Sequence, residues 1–186
     1  RRWQPARQRR RLPQTGRRLS AGSPSAVRTS FHIASDLHAP ADEVWRHATS
    51  FEGINAELGP VLRMSAPRHV RESGIREVPL GKPWFRSWLL LLRVLPVDYD
   101  HLRIVELEQG RLLEDSTMLT ARRWRHERVV TPADEGCRIE DRLEWEPRLR
   151  PLGWILGAVV PALFEHRHAV LRRRFGGSPA SADHRP

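Results

Sequence analysis

The sequence has one cysteine, Cys137, and one lysine, Lys82. A single cysteine excludes an internal disulfide and any cysteine-based zinc site, so a reducing, cytoplasmic setting is expected. The apolar run Trp154 to Phe164 is 11 residues long and contains Pro161. A membrane-spanning helix needs about 20 residues, so no transmembrane segment is expected. The opening residues lack the apolar stretch of a signal peptide. No glycine-rich phosphate loop of known spacing occurs. His166 and His168 are two apart on a helix and diverge, which leaves no convergent metal ligands. No cofactor and no metal are expected.

Net charge is also scarce where a fold has to form. The formal charge of +10 comes mostly from the start of the chain. Residues 1–25 hold eight arginines and no acid; taking those eight from the 32 basic residues leaves 24 against 22 acidic ones. Residues 1–26, rich in Arg, Gln, Pro, Ser and Gly without apolar periodicity, are expected to be disordered. The remainder divides into one domain over 27–177 and a disordered tail over 178–186.

Within the domain, the longest periodic segment is Leu152 to Phe175. At 3.6 residues per turn one face collects Leu152, Leu156, Val159, Val160, Leu163, Phe164, Leu171 and Phe175. Arg167 falls inside that stripe, with His166 and His168 at its edges. A lone charge on an apolar face needs a partner or a wet cavity. Pro161, four residues after Gly157, predicts a kink or break near 157–161, and Gly176-Gly177 predicts the end of the helix.

The preceding chain reads as a strand over 27–38, then a helix behind Pro40, Asp42 and Glu43, then a short second helix or loop. Strands follow: short ones at 61–64 and 74–78, a long apolar one at 84–97, then 101–108, 111–119, 122–131 and 137–147. Gln109-Gly110 and the Pro132–Gly136 loop join the later strands as hairpins. A run of antiparallel strands between helices is an α+β arrangement, and one sheet covering one long helix is expected to curve around it.

Alternation then sorts the side chains. In 137–147, Arg138, Glu140, Arg142, Glu144 and Glu146 are all charged and face out, so Ile139, Asp141, Leu143 and Trp145 face in. In 122–131, Trp124 favours its own set as inner, with His126, Arg128 and Val130. The two faces of 111–119 are not distinguished. Asp141, His126, Arg128 and Arg167 therefore meet between sheet and helix, either as ion pairs that tether the two or as the polar end of an apolar pocket.

The elements Leu113-x-Asp115, Trp124-x-His126, Asp141 followed by Trp145 and Pro147, Pro151-Leu152-Gly153, and Phe164-x-x-Arg167-His168-x-x-Leu171 occur in that order. With the opening strand and Ala39-Pro40-Ala41-Asp42-Glu43-Val44-Trp45, they resemble the SRPBCC superfamily, the START-like, polyketide-cyclase-like helix-grip proteins, over about 28–176. The resemblance implies a seven-stranded antiparallel sheet curved around a long C-terminal helix. It also implies two short helices after the first strand and a deep cavity for a hydrophobic small molecule. The chain departs from its closer relatives at Leu119-Thr120-Ala121, where Gly-Pro-Phe is usual, at Trp145, where Tyr is common, and at Arg150, where a small residue is usual.

Three functions follow as expectations. The first is a bacterial binding protein, monomer or homodimer, whose hydrophobic or amphipathic ligand touches Trp88, Trp124, Leu143 and Phe164. His126, Arg128, Asp141 and Arg167 form the polar end. The second is a cyclase- or dehydratase-like enzyme using His126 and Asp141 as acid and base. The third is a module whose arginine-rich arm contacts nucleic acid or anionic membrane; because a charge run is usually a solvated tail, nucleic acid is not an expected partner.

Overall fold

The structure, a computed structural model, describes residues 28–75 and 78–185. The arginine-rich segment expected to be disordered lies outside the described residues. The chain runs β1 (Thr29–Leu37), α1 (Ala41–Ala48), α2 (Phe51–Leu58), β2 (Leu62–Met64), α3 (Arg68–Ser73), β3 (Arg86–Leu91), β4 (Leu95–His101), β5 (Ile104–Glu108), β6 (Arg111–Met118), β7 (Ala121–Ala133), β8 (Gly136–Pro147), α4 (Arg150–Phe175) and β9 (Gly177–Arg185). The strands form one curved antiparallel sheet in the order β2-β3-β4-β6-β7-β8-β1-β9, with β5 beside β6. It is the expected α+β helix-grip arrangement, with nine strands rather than about seven.

Three expectations are corrected. The apolar stretch 84–97 is not one strand: Leu92 and Arg93 take positive φ angles of 50° and 70°, and the chain folds back as the β3–β4 hairpin. Its uniform apolarity concealed the turn. Residues 178–185, expected to be disordered, belong to β9, which extends the sheet by pairing with β1. The sequence there is too polar to signal a strand, and the free edge of β1 supplies the order. Of the short strand expected at 74–78, the described residues Gly74, Ile75 and Val78 belong to no strand, and Gly74 caps the short helix α3. In addition α4 runs unbroken through Pro161. Leu156 and Val160 before the proline and Phe164 after it are all buried against the sheet, and this packing holds the helix together across the missing hydrogen bond.

The hairpin signals hold. Gly110 has φ +80° between β5 and β6, and Gly136 has φ +128° between β7 and β8. A side chain at Gly136 would meet the Leu37 carbonyl oxygen at 2.1 Å, so glycine is required there. Helix α1 starts behind Pro40 with Asp42 and Glu43 in its first turn, and it buries Val44, Trp45 and Ala48. Helix α2 is capped by Ser50, whose Oγ accepts from the Gly53 amide at 3.0 Å.

The core is divided in two. One apolar cluster contains Leu37, Leu102, Leu112, Val130, Ile139 and Leu171. The other contains Ile33, Met118, Trp124, Leu143, Trp145 and Phe164. Between them, buried polar side chains interrupt five elements at one level: Ser35 on β1, Glu114 and Ser116 on β6, His126 and Arg128 on β7, Asp141 on β8, and Arg167 and His168 on α4. Phe164 closes the second cluster against this layer. Its ring packs edge-on to His126 with centroids 5.1 Å apart and lies under the Arg167 guanidinium at 4.7 Å. Phe164→Ala is expected to cost about 3–5 kcal/mol, read as a lower midpoint in urea denaturation with an unchanged slope.

Candidate functional site

The polar layer is built by strand register and helical spacing. The β7–β8 register sets Arg128 opposite Asp141 and His126 opposite Leu143. The β6–β7 register sets Glu114 opposite His126. Alternation turns these side chains inward with Trp124 and Val130 on β7 and with Ile139 and Leu143 on β8. On β6 the inner set is Leu112, Glu114, Ser116 and Met118. Helix α4 supplies Arg167 and His168 from its buried face. Glu57, from the last turn of α2, is fully buried opposite them.

Arg128 is the hub. Its Nε and Nη2 donate to the two carboxylate oxygens of Asp141, each at 2.7 Å, and its Nη1 donates to Glu57 at 2.9 and 3.0 Å. Arg167 donates to Glu57 Oε2 from Nη2 at 2.8 Å and from Nε at 3.0 Å. Two guanidinium groups and two carboxylates thus neutralise each other out of water. A buried charge is tolerable only when paired and hydrogen-bonded in this way. Burial alone pushes the Asp141 carboxyl up, but Arg128 and His126 outweigh it and hold the group well below the usual carboxylate range. Glu57 is lowered too, since Arg128 and Arg167 outweigh its burial. Burial pulls Arg128 down, yet Asp141 and Glu57 together raise it.

Both histidines lean on Asp141. His126 Nε2 donates to Oδ1 at 2.8 Å, and His168 Nε2 donates to Oδ2 at 3.1 Å. Arg172 donates to Ser35 Oγ at 2.7 Å, so the Ser35 hydroxyl proton is free to go to His168 Nδ1, 2.9 Å away. His168 is therefore hydrogen-bonded at both ring nitrogens and locked as part of the frame. His126 differs. Its Nδ1 lies 3.7 Å from Glu114 Oε2, beyond hydrogen-bond reach. Burial lowers the His126 pKa, but Asp141, with help from Glu114, reverses this and raises it.

Glu114 is the residue that sequence reasoning missed, because the two faces of 111–119 were not distinguishable. It is 7 % exposed, and the Asp100 carboxyl hydrogen-bonds to it. Asp100, on β4, is also buried, with the Glu114 carboxyl and Ser116 as its hydrogen-bond partners. Burial and the adjacent Glu114 carboxyl push Asp100 well up, so it keeps its proton where ordinary carboxyls lose theirs. Glu57 was missed as well; it lies in FEGINAEL, where nothing local distinguishes it from a surface acid.

A cavity of about 70 Å³ opens beside the layer. Glu114, His126, Arg128 and Arg167 form its polar wall; Phe51, Ile54, Met64, Leu102, Ile104 and Leu112 are among its apolar walls. Of the eight expected site residues, four are drawn together with Glu57: His126, Arg128, Asp141 and Arg167. Asp141 stands behind Arg128 and His126 rather than on the wall. Trp124, Leu143 and Phe164 are packed in the second apolar cluster and do not line the cavity. Trp88 is 42 % exposed on β3 and stacks edge-on with Tyr99 at 5.7 Å. The buried residue there is its neighbour Ser87, whose Oγ donates to the Ser65 carbonyl at 2.7 Å, so the strand presents Trp88 outward. Among the described residues no group of three or more His, Cys, Asp or Glu side chains is arranged to hold a metal ion.

A family described as "Domain of unknown function (DUF8410)" matches residues 35–175. The chain belongs to this family. The DUF8410 match begins at Ser35 and ends at Phe175, so it takes in the whole polar layer. No curated protein matches the chain. Solved structures do. A protein of Chromobacterium violaceum aligns with TM-score 0.59 at 14% identity, covering 81% of this chain and 99% of that one. A START superfamily protein from Mycobacterium smegmatis aligns with TM-score 0.54 at 11% identity, covering 80% and 97%. CalU16 from Micromonospora echinospora aligns with TM-score 0.51 at 15% identity, covering 80% and 76%. At these identities the likeness is one of fold: the DUF8410 chain shares the helix-grip architecture of the SRPBCC, START-like superfamily.

The pKa directions set a pH dependence. Glu57 and Asp141 are lowered on folding, so their stabilisation is complete above the unfolded carboxyl value of about 4 and is lost as pH falls through the folded values. Glu57→Gln leaves Arg128 and Arg167 short of a counter-charge. It is expected to cost about 3–5 kcal/mol at neutral pH and to flatten the acid-side loss of stability, measured by chemical denaturation across pH.

Proposed function

We propose that the protein binds a small amphipathic molecule in the cavity between the sheet, α2 and α4. Its apolar part rests on Phe51, Ile54, Leu102 and Ile104, and its polar group meets Glu114 and His126. The observation that carries this reading is the cavity itself, apolar on most sides with the buried Glu114 and His126 on its polar wall. A carboxylate has acceptor capacity beyond the one proton that Asp100 brings, and a ligand hydroxyl or N–H would use it. Arg128 and Arg167 are already committed to Glu57 and Asp141, so they frame the site rather than capture an anion. The space of about 70 Å³ suits a ligand fragment; one of the usual cavity size, roughly 300–1,000 Å³, would enter by displacing the α2 wall at Ile54.

An acid–base enzyme is the second reading, supported by His126, whose Nε2 is fixed by Asp141 while Nδ1 faces Glu114 at the cavity. Here Asp141 is an orienting group, because Arg128 already occupies both its oxygens; the proton-transfer group is His126.

An apolar fluorescent probe carrying one N–H, N-phenylnaphthylamine, tests the binding reading. Ile54→Trp, which fills the cavity, and Glu114→Gln, which weakens the acceptor, are each expected to lower probe affinity by about tenfold or more, equivalent to about 1.4 kcal/mol. Unchanged affinity in both variants, with melting temperatures like that of the parent, would contradict it.

A further inference from the structure

Fourteen consecutive residues of α4, Pro151–Phe164, read PLGWILGAVVPALF and include no charged or hydrogen-bonding aliphatic side chain. One face of this stretch reaches the core through Leu156, Val160 and Phe164. The other faces meet water: Trp154 is 87 % exposed, Ile155 57 % and Val159 49 %. A helix that is apolar all round is ordinarily covered. The β3–β4 hairpin has the same character, with Leu92, Val94 and Leu95 exposed around its tip. Isolated exposed apolar residues are ordinary, but a contiguous set marks a contact surface.

The two elements lie at the same end of the molecule. Passing along α4 from Leu171 through Arg167 to Phe164 and Leu156 goes from the first apolar cluster, across the polar layer, to the second, and then to Trp154. Passing from Leu102 back along β4 through the buried Asp100 leads the same way to Val97 and the hairpin tip. Leu89 of β3 packs on the cluster that holds Leu156 and Val160. Leu119, itself exposed, donates its amide to the Tyr99 carbonyl, and Arg148, just before α4, donates to the Met118 carbonyl at 2.9 Å. The Leu92 amide donates to the Val61 carbonyl, which adds exposed Val61 to the set.

Arginines flank the hairpin tip and the start of α4, while Glu165 and Asp183 lie farther along the helix beside Gly157 and Pro161. Segments 58–64, 89–97 and 147–164 carry Arg63, Arg93, Arg148 and Arg150 and no acid. Arg63 and Arg93, with Arg71, line a groove beside the hairpin, in which Glu52 is the acidic residue. Two copies meeting through this face about a two-fold axis would set arginines against arginines. An anionic bilayer instead offers acyl chains to the leucines and valines, phosphates to the arginines, and an interface suited to tryptophan. No helix among the described residues is long and apolar enough to cross a membrane, so the contact is one of docking.

We propose that this end docks on an anionic membrane surface, with Leu92, Val94 and Trp154 entering the acyl boundary and Arg93 and Arg150 among the headgroups. The proposal is independent of the ligand cavity, which lies on the far side of the polar layer from Trp154.

The test is co-sedimentation of the full chain with vesicles of phosphatidylcholine alone or phosphatidylcholine with phosphatidylserine. The arginine-rich N-terminal segment is retained in every variant, so differences report on the patch. Leu92→Asp with Val94→Asp, and separately Trp154→Asp, are expected to weaken binding to the anionic vesicles at least about tenfold. Arg93→Gln with Arg150→Gln is expected to reduce the preference for anionic over neutral vesicles. If the hairpin double variant lowers the melting temperature, Trp154→Asp carries the test, because that side chain touches little of the protein. Wild-type vesicle binding in a variant with the parent's melting temperature would overturn the proposal. So would a parent that binds no vesicles, or variants that dissolve a dimer while vesicle binding persists.

Discussion

Arg128 grips two carboxylates brought from opposite sides of the fold, Glu57 on α2 and Asp141 on β8, and much of the interior is arranged around that grip. Arg167 completes the neutralisation from α4, so one cluster joins the short helix, the sheet and the long helix. The β7–β8 register and the position of α2 are constrained together, because a one-residue slip would turn Arg128 to solvent and strand Asp141 without its partner. Holding helix to sheet does not require ions; apolar side chains of similar volume do so at least as well. What the ions add is a rigid polar wall whose own hydrogen bonds are spent internally, so that His126 and Glu114 are held without being consumed.

Much of this was legible in the sequence, and the reasons are local. The all-charged outer set of β8 fixed its inner set without ambiguity, and Trp124 did the same for β7, which placed His126, Arg128 and Asp141 inside. Arg167 was legible because its neighbours on the helix are apolar. Glu114 was not, since both faces of β6 mix leucine with an acid. Glu57 was not, since its burial depends on where α2 docks, which no short-range pattern encodes. Trp88 misled for a related reason: an aromatic residue in an apolar run suggests the core, whereas in β3 the inward position belongs to Ser87. Polar β9 was invisible because its order comes from the edge of β1 rather than from its own side chains.

The same layer divides the molecule into two regions with different chemistry. On the α2 side lies the small cavity with Glu114 and His126 on its wall. Beyond the second apolar cluster lies an end where helix α4 and the β3–β4 hairpin expose apolar side chains with Arg93 and Arg150 among them. Phe164 joins the two regions, since its ring touches His126 and Arg167 on one side and Trp124 on the other. A shift of α4 along its axis would therefore be felt at both.

The central claim is that the polar layer faces a ligand rather than only fastening a helix. Native mass spectrometry of the purified full chain addresses it most directly. The expected spectrum contains a small-molecule adduct on the folded protein that disappears on denaturation and is reduced in Ile54→Trp. A parent protein that carries the mass of the chain alone, and takes up no hydroxylated apolar compound when such compounds are supplied, would contradict the account.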